Sequence, residues 1–430
     1  MNLLLLAVAV SYLCYERADH NRYGRYFAEA FQHIHRSYVE PVDDQALFDG
    51  AVDGMTKRLD EYSSFISRKD ALQFQSMLEQ NFGGIGIEVT VDRNTKRLTV
   101  MSPLVDSPAY EVGVLAGDKI LAINGQSTDG FSLEDAVKLL RGPVGEKVKL
   151  RVLHEGDRKP VEYTIERRPI NVASVLGDER SKNGTWSYFL PGYDHVGYLR
   201  VTQFGEKTYS EITAALDELR RGKVRGIVLD MRDNPGGLLS SAKQVCELFL
   251  PKGKVVVTTR GRGATLRQSY EVESPGPYQK VPIVVLVNGF TASAAEVVAA
   301  CLQDYDRAPV VGQRTWGKGT VQDVIPMEGG RSILKLTIAT FWRPSMKNIH
   351  RFRDSKDTDE WGGTPSPGLL VPMTDKEREK WLEYRRARDV IKPANRRKVE
   401  KPDLTVDAQL KAAIEALQKQ IDRRPKSKAA

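Results

Sequence analysis

Short, continuously apolar segments alternate with helix-like segments through the second half of this chain. Residues 224–232 (VRGIVLDMR) and 282–289 (PIVVLVNG) are typical of buried strands, and residues 211–222 (EITAALDELRRG) have the spacing of a surface helix. Strands that alternate with helices in this way form a largely parallel sheet with helices packed on it. We therefore predict an α/β core over residues 170–373.

The region before this core divides into two parts with different patterns. Residues 19–80 place apolar side chains at helical spacing. Residues 81–169 are β-rich, and the strand pattern at 117–126 (GDKILAINGQ) ends in an Asn-Gly turn. A helix follows whose start carries a capping box of Ser132 and Asp135. With 430 residues, the chain has room for this multidomain arrangement.

The first residues form an apolar, uncharged run, MNLLLLAVAVSYLCY. This run is shorter than the ~20 residues that a helix needs to span a bilayer. It resembles the apolar part of a signal peptide, without a basic start or a convincing cleavage site. We interpret residues 1–18 as a signal or membrane-anchor segment, which predicts an extracytoplasmic location; a buried first helix is the alternative.

Positive charge is concentrated near the C-terminus. The net charge is +8, and residues 376–401 hold 11 Lys or Arg against 5 acidic residues. We interpret residues 374–430 as a solvated basic tail with a short amphipathic helix at 406–420. Nothing resembles a nucleic-acid-binding fold, so no nucleic-acid partner is predicted. The three cysteines lack metal-ligand spacing, and we predict no metal or other cofactor.

Ser293 lies where the apolar strand at 283–288 (IVVLVN) meets the start of a helix. Such a turn exposes a nucleophile, and the free N–H groups of the helix start can hold a developing oxyanion. Lys318 follows between two glycines, and no histidine occurs in residues 196–349. A lysine can replace histidine as the base if burial lowers its ordinary pKa of about 10.4.

Gln322 completes the candidate site. In an extended segment, residues 318, 320 and 322 share a face, so Gln322 can reach Lys318. Each of the three residues also has an ordinary interpretation. Ser293 would be a helix N-cap, Lys318 a solvated surface lysine, and Gln322 a solvated strand residue.

Three motifs together carry a family resemblance. The chain reads TASAAE at 291–296, TWGKGTVQ at 315–322 and DMRDNPGG at 230–237. These are similar to the S-A-S-A-S-E, T-F-G-K-G-x-x-Q and D-L-R-x-N-P-G-G patterns of the carboxyl-terminal processing, or tail-specific, proteases. That family consists of Ser-Lys peptidases with an embedded PDZ domain, and the resemblance covers about residues 30–373.

The resemblance implies a role for each residue of the site. Ser293 becomes the nucleophile, Lys318 the general base and Gln322 the residue that orients the lysine. Gly237 and Ala294 become the donors to the oxyanion, although the choice between Gly236 and Gly237 stays open. The departures from the family pattern, at Thr291, Ala295 and Trp316, remove no catalytic group.

The resemblance also implies that residues 81–169 form a PDZ domain. Its loop residues Ile85, Gly86 and Ile87 would bind the C-terminal carboxylate of a peptide that adds as a strand to the sheet edge. The alternative is that the glycines of this loop only form a turn. Residues 350–368 are an insertion relative to the family, either a surface loop near the substrate cleft or decoration.

The predicted function is a serine endopeptidase that cleaves proteins near their C-terminus after its PDZ domain captures the tail. The first alternative is an inactive PDZ scaffold that binds C-termini without cutting. The second is a PDZ protease with a Ser-His-Asp site, which the missing core histidine disfavours. Partners would be proteins or peptides with exposed C-terminal tails, and the N-terminal helices are expected to join copies into a homo-oligomer.

Overall fold

The chain divides into two compact units. The first comprises Met1–Leu72 and Gln322–Thr337, and the second comprises Gln73–Val321 and Ile338–Ala430. The computed structural model describes residues 22–71, 74, 81–92, 95–104, 106–154, 156–181, 185–193, 195–390 and 400–423. The signal or anchor segment predicted for residues 1–18 lies outside the described residues.

The helices are α1 (Arg22–Ser37), α2 (Asp44–Thr56), α3 (Pro108–Glu111), α4 (Leu133–Leu140), α5 (Thr208–Arg221), α6 (Leu239–Glu247), α7 (Ala294–Asp304), α8 (Asp375–Asp389) and α9 (Ala408–Asp422). The strands are β1 (Ser64–Ile66), β2 (Asn81–Gly84), β3 (Ile87–Val91), β4 (Leu98–Pro103), β5 (Lys119–Ile123), β6 (Gln126–Ser127), β7 (Lys147–Leu153), β8 (Val161–Glu166), β9 (Arg168–Asn171), β10 (Val175–Leu176), β11 (Glu179–Arg180), β12 (Trp186–Ser187), β13 (Val196–Val201), β14 (Gly226–Asp230), β15 (Val255–Arg260), β16 (Leu266–Glu271), β17 (Ile283–Val287), β18 (Val310–Gly312), β19 (Thr320–Met327) and β20 (Ser332–Trp342). Within the parts of the chain that the structure describes, no helix is long and apolar enough to cross a membrane.

The first unit contains the predicted N-terminal helices. α2 begins after Asp43, whose carboxylate accepts a hydrogen bond from Gln45 N at 2.8 Å. This bond satisfies one of the N–H groups that a helix start leaves unpaired. Phe48 of α2 packs edge-on against Phe65 of β1, and β1 pairs antiparallel with the first residues of β20. The predicted helical region therefore also contains a strand, β1, that the sequence did not indicate.

The β-rich domain is an antiparallel sheet with the order β3-β4-β5-β7-β8 and with β6 beside β5. Asn124 and Gly125 connect β5 to β6 and both have positive φ, as a two-residue hairpin turn requires. The capping box of α4 is also present, because Ser132 N donates to Asp135 Oδ2 and Asp135 N donates to Ser132 Oγ. Both local predictions are confirmed.

The α/β core is built on a sheet with the order β10-β13-β14-β17-β18. Its strands from β13 to β18 are parallel, and β10 is an antiparallel edge. β13, β14 and β17 are buried along their whole length. Strands buried on both faces read as continuous apolar runs. The prediction of a largely parallel sheet is confirmed.

The amphipathic helix predicted at 406–420 is present as α9, and it packs on the core instead of forming part of a solvated tail. On α9, Leu410 and Leu417 are 1% and 0% exposed and pack in one cluster with Val228 and Val284 of the core sheet. The amphipathic helix thus covers a face of the sheet that would otherwise expose apolar strand residues. Two basic residues of α8, Arg385 and Arg388, are also buried, and both form ion pairs with Asp178.

Candidate active site

The backbone of Ser293 is strained at the junction of β17 and α7. Ser293 is the N-cap of α7 and has φ 56° and ψ −121°, a conformation that residues other than glycine rarely adopt. The N-caps Ser132 and Thr374 have extended backbones, with φ −74° and −71°, as capping normally requires. The interpretation of Ser293 as an ordinary N-cap therefore does not explain its conformation.

Hydrogen bonds anchor the turn that leads to Ser293. Thr291 Oγ1 donates to Met231 O at 2.8 Å and accepts a bond from Asn288 N at 3.0 Å. Asn288 Oδ1 in turn accepts a bond from Asp233 N at 3.0 Å. The turn after β17 is thereby joined to the segment after β14. Candidate residues from two neighbouring parallel strands meet at their carboxyl ends, where open α/β sheets place their sites.

Glu296 connects Ser293 to the Lys318 segment, and the sequence prediction did not include it. Its Oε2 accepts hydrogen bonds from Ser293 N and from Lys318 N, each at 2.8 Å. Its Oε1 accepts bonds from Gly317 N at 2.7 Å and from Thr315 Oγ1. The two predicted catalytic residues are thus held by their backbone amides on one carboxylate oxygen. The signal available in the sequence was the glutamate of the TASAAE motif.

The Glu296 carboxyl group is fully buried. Burial raises the pKa of Glu296 to about 7, and the hydrogen bonds from Thr315, Gly317, Ser293 and Lys318 oppose that rise by favouring the charged form. A carboxylate that accepts four hydrogen bonds can stay ionised near neutral pH. A protonated carboxyl group would have to give up one acceptor position.

Lys318 is half-buried in a tightly packed segment. Gly317 before it has φ 86°, and a Cβ atom at this position would lie 2.7 Å from Arg351 Cβ and 2.9 Å from Trp361 Cε3. Only glycine combines this backbone conformation with so close an approach.

The two candidate oxyanion glycines differ in how their backbones are used. Gly236 N donates to Asn234 Oδ1 at 2.8 Å, so that N–H already has an acceptor. Gly237, with φ 137°, lies in a parallel bridge with Phe204. That bridge uses the carbonyl of Gly236 and the N–H of Leu238, not the N–H of Gly237. This geometry favours Gly237 over Gly236 as a donor to an external oxygen.

Gln322 belongs to the first unit, whereas Ser293 and Lys318 belong to the second. Within the first unit, Gln322 Nε2 donates to Thr337 Oγ1 at 3.2 Å, and Thr337 Oγ1 donates to Asp60 Oδ1. Gln322 is half-buried, not fully solvated. Its role toward Lys318 stays a prediction.

The β-rich domain has a groove of about 210 Å³ beside the predicted carboxylate-binding loop. The loop is fixed from behind, because Ala109 N donates to Ile85 O and Leu104 N donates to Gly86 O, both at 2.9 Å. Apolar side chains that line the groove include Ile85, Ile87, Val89, Leu104, Val137 and Leu140. The lining also includes one basic residue, Arg141, and one acidic residue, Glu88. The groove thus offers a mainly apolar surface, which suits an apolar peptide end.

A buried ion network lies behind the site and was also missed from the sequence. Arg232 donates to Asp230 Oδ2 at 2.6 Å and to Asp407 Oδ1 at 2.8 Å. Trp381 Nε1 donates to Asp407, and Tyr198 OH donates to Asp230. Burial favours the neutral carboxyl, but the Arg232 charge and these bonds keep the pKa of Asp230 below its ordinary value. This network joins the strand that carries the DNPGG turn to the C-terminal helices.

A second ion cluster explains why two arginines of the basic helix α8 are buried. Arg385 Nη1 donates to Asp178 Oδ1 at 3.1 Å, and Arg388 forms an ion pair with the same carboxylate. Arg200 Nη2 donates to Asp389 Oδ2 at 2.6 Å. The two buried arginines of α8 are therefore paired with an acidic residue more than 200 positions earlier in the chain. Charge counting along the sequence could not reveal such a pairing.

Comparisons with known proteins agree with these features. Family models match at three places: peptidase family S41 over residues 195–356, a PDZ domain over 99–153, and the N-terminal domain of the activating protease CtpB over 16–70. The carboxy-terminal-processing protease of Bartonella bacilliformis is 39% identical over 327 residues, which are 75% of this chain and 71% of that protein. The carboxy-terminal processing protease CtpA of Bacillus subtilis is 35% identical over 326 residues, 75% of this chain and 66% of that protein.

A solved structure, the photosystem II D1 C-terminal processing protease, aligns with a TM-score of 0.46 and 27% identity. The alignment covers 80% of this chain and 92% of that one.

Proposed function

We propose a catalytic role for each candidate residue from one premise: the chain belongs to the carboxy-terminal processing proteases, which are serine peptidases of family S41. In this proposal Ser293 is the nucleophile and Lys318 is its base. The observation that supports it best is the strained Ser293 backbone, tied through Glu296 to the Lys318 segment. Strain of this kind persists where the surrounding structure enforces it, and it is concentrated at functional sites.

The chemistry follows from the position of each group. Ser293 Oγ attacks the scissile carbonyl carbon while Lys318 Nζ takes the hydroxyl proton. The N–H groups of Ala294, at the start of α7, and of Gly237 donate to the oxyanion that develops. Lys318 then protonates the leaving amine, and an acyl-enzyme remains on Ser293. Water hydrolyses this ester after Lys318 takes one of its protons.

We assign Gln322 to the orientation of Lys318, as the family resemblance implies. Its amide has both donors and an acceptor, so it can hold the lysine amine and still bond to Thr337. The assignment concerns proton transfer and not the capture of substrate. Loss of Gln322 should therefore lower kcat more than it raises KM.

The PDZ domain is proposed to capture the C-terminal tail of a protein substrate. The loop of Ile85, Gly86 and Ile87 would bind the terminal carboxylate, and the apolar groove beside it would take the last side chains. Arg141 would add a charge-assisted contact to the same carboxylate. Apolar tails fit this lining better than charged ones because a charged side chain would lose its hydration there.

An extracytoplasmic location and a homo-oligomer joined through the N-terminal helices also stay predictions. α1 has no buried residue and exposes Tyr23, Tyr26 and Phe27, which is compatible with a partner surface.

The deciding experiment compares wild type with Ser293→Ala on a model protein that carries an apolar C-terminal tail. Turnover should fall by about 10⁴-fold or more, because the nucleophile is gone. Binding of a labelled tail peptide should be retained, and amidation of the peptide should weaken it in both proteins. Equal turnover by the two proteins would refute the serine mechanism. Binding with no turnover by wild type would favour the inactive scaffold.

A further inference from the structure

The first part of the insertion at 350–368, residues 350–363, folds against the segment that carries Lys318 and is called the insertion segment here. Arg351 N donates to Gly317 O at 2.8 Å, and Thr315 N donates to Gly363 O at 3.0 Å. Gly363 N returns a bond to Thr315 Oγ1 at 2.6 Å. Both ends of the insertion segment are therefore bonded to the residues just before Lys318. A decorative surface loop would not need contacts at both ends.

Trp361 is the centre of this contact. Two guanidinium groups stack on its ring, with Arg314 Cζ at 3.6 Å and Arg351 Cζ at 4.5 Å from the ring centroid. Arg314 Nε also donates to Trp361 O at 3.1 Å, and Trp361 Nε1 donates to Lys356 O at 3.2 Å. The tryptophan is only 8% exposed. Stacking with two guanidinium groups and the hydrogen bonds of its backbone oxygen and indole nitrogen fix the ring in one position.

The fixed ring limits where the lysine segment can lie. A Cβ atom on Gly317 would meet the Trp361 ring at 2.9 Å, so the backbone rests directly on it. On the other side, Gly317 N and Lys318 N donate to Glu296. The lysine segment is thus held between the indole ring and the buried carboxylate.

The end of the insertion segment also covers that carboxylate. A Cβ atom on Gly362 would lie 2.8 Å from Thr315 Oγ1 and 3.3 Å from Glu296 Oε1. Thr315 Oγ1 donates to Glu296 Oε1 while it accepts the bond from Gly363 N. One hydroxyl group therefore links the insertion segment to the carboxylate that holds Ser293 N. Water is kept away from Glu296 by backbone that has no room for a larger residue.

We infer that Trp361 is a positioning residue for the peptidase reaction: through its stack with Arg314 and Arg351, the insertion segment clamps Lys318 against Glu296 in register with Ser293. The inference rests on the proposed Ser-Lys function. Trp361 acts through the lysine segment and touches no reacting atom. A base displaced by about 1 Å can slow proton transfer on the order of 10²-fold, while tail binding in the PDZ groove is unchanged.

The experiment uses the full chain with Trp361→Ala, Trp361→Phe and, as the matched control, Trp186→Ala. Trp186 also stacks under an arginine, with Arg180 Cζ 3.8 Å from its ring, but it lies on β12, outside the Lys318 segment. We expect kcat to fall about 100-fold in Trp361→Ala with KM within about twofold of wild type. Trp361→Phe should recover most of kcat because a phenyl ring can still stack. Trp186→Ala should keep the wild-type kcat.

A fluorophosphonate that labels activated serines separates the two levels of the proposal. Labelling of Ser293 should be about 100-fold slower in Trp361→Ala than in wild type. If wild type is not labelled at Ser293, the Ser-Lys assignment fails. If wild type is labelled and Trp361→Ala is labelled equally fast, the assignment stands and the clamp is refuted.

A second pair of variants covers the case in which Trp361→Ala does not fold. Thr315→Val removes the hydroxyl that links Gly363 to Glu296 at nearly constant volume, whereas Thr315→Ser keeps it. Thr315→Val should lose kcat without a change in KM, and Thr315→Ser should stay near wild type. Equal kcat in these two variants would overturn the clamp.

Discussion

Helices α4 and α7 begin with the same sequence pattern and reach different structures. Each starts at a serine that is followed three positions later by an acidic residue, Ser132 with Asp135 and Ser293 with Glu296. Ser132 has an extended backbone and Asp135 is solvated. Ser293 has φ 56°, and Glu296 is fully buried. The same local signature is a helix start in one place and a candidate active site in the other.

The pKa of the acidic residue is shifted in opposite directions at the two sites. Hydrogen bonds from the side chain and backbone of Ser132 lower the pKa of Asp135, which faces water. Burial raises the pKa of Glu296 to about 7 although it accepts four hydrogen bonds. Desolvation therefore outweighs hydrogen bonding at α7 but not at α4. A cap that costs free energy to ionise is not explained by helix stability alone.

The largest difference between the two sites should appear between Lys318, in the segment bonded to Glu296 of α7, and Lys138 on α4. Lys318→Arg should abolish turnover, by at least about 10³-fold, because a guanidinium group cannot give up its proton at working pH. Lys138→Arg on α4, where Lys138 forms an exposed ion pair with Glu134 at 3.0 Å, should leave turnover unchanged. Steady-state kinetics on a tail-bearing protein measure both. An active Lys318→Arg enzyme would remove Lys318 from the role of base.

The acidic residues should give the next largest contrast. Glu296→Gln keeps only one acceptor oxygen, so its NH₂ group must face either the N–H groups of Ser293 and Lys318 or the donors of Gly317 and Thr315. We expect kcat to fall on the order of 10²-fold. Asp135→Asn should lower stability only slightly and leave activity unchanged, because Asp135 is exposed. Steady-state kinetics and urea unfolding measure the activity and the stability of both variants. A fully active Glu296→Gln enzyme would contradict the predicted loss of kcat.

The pH dependence of stability should differ in sign between the two sites. Between pH 4.5 and about 7 the unfolded chain releases the Glu296 proton while the folded chain keeps it. The folded state then binds more protons, so the free energy of unfolding falls as pH rises, by roughly 3 kcal/mol in total. Asp135 contributes in the opposite direction, because its lowered pKa supplies stability that is lost in acid.

The measurement is urea unfolding at pH 4.5, 6 and 7.5 in a Ser293→Ala background, with and without Glu296→Gln. The variant lacks the titrating group, so the difference between the two free energies of unfolding should change across this range. Parallel pH curves for the two proteins would show that Glu296 does not titrate with a raised pKa.

Local sequence patterns determined several strands, a turn and a helix start of this protein. The apolar runs predicted the parallel strands because a strand that is buried on both faces carries apolar residues at consecutive positions. The Asn-Gly pair specified the turn between β5 and β6, and Ser132 with Asp135 specified the start of α4. Ser293 and Lys318 were also identified from their motifs. In each case the residues that decide the structure are neighbours in the chain or lie within one short motif.

Only the tertiary structure decided what surrounds these residues. Asp407 and Arg232 form an ion pair although they are 175 positions apart, and Gly363 bonds to Thr315 over 48 positions. No local sequence pattern predicts either contact. Charge counting predicted a solvated tail, yet Arg385 and Arg388 of α8 are buried and α9 packs on the core sheet. The pKa of Glu296 depends on how completely neighbouring backbone excludes water, and that is a property of packing in three dimensions.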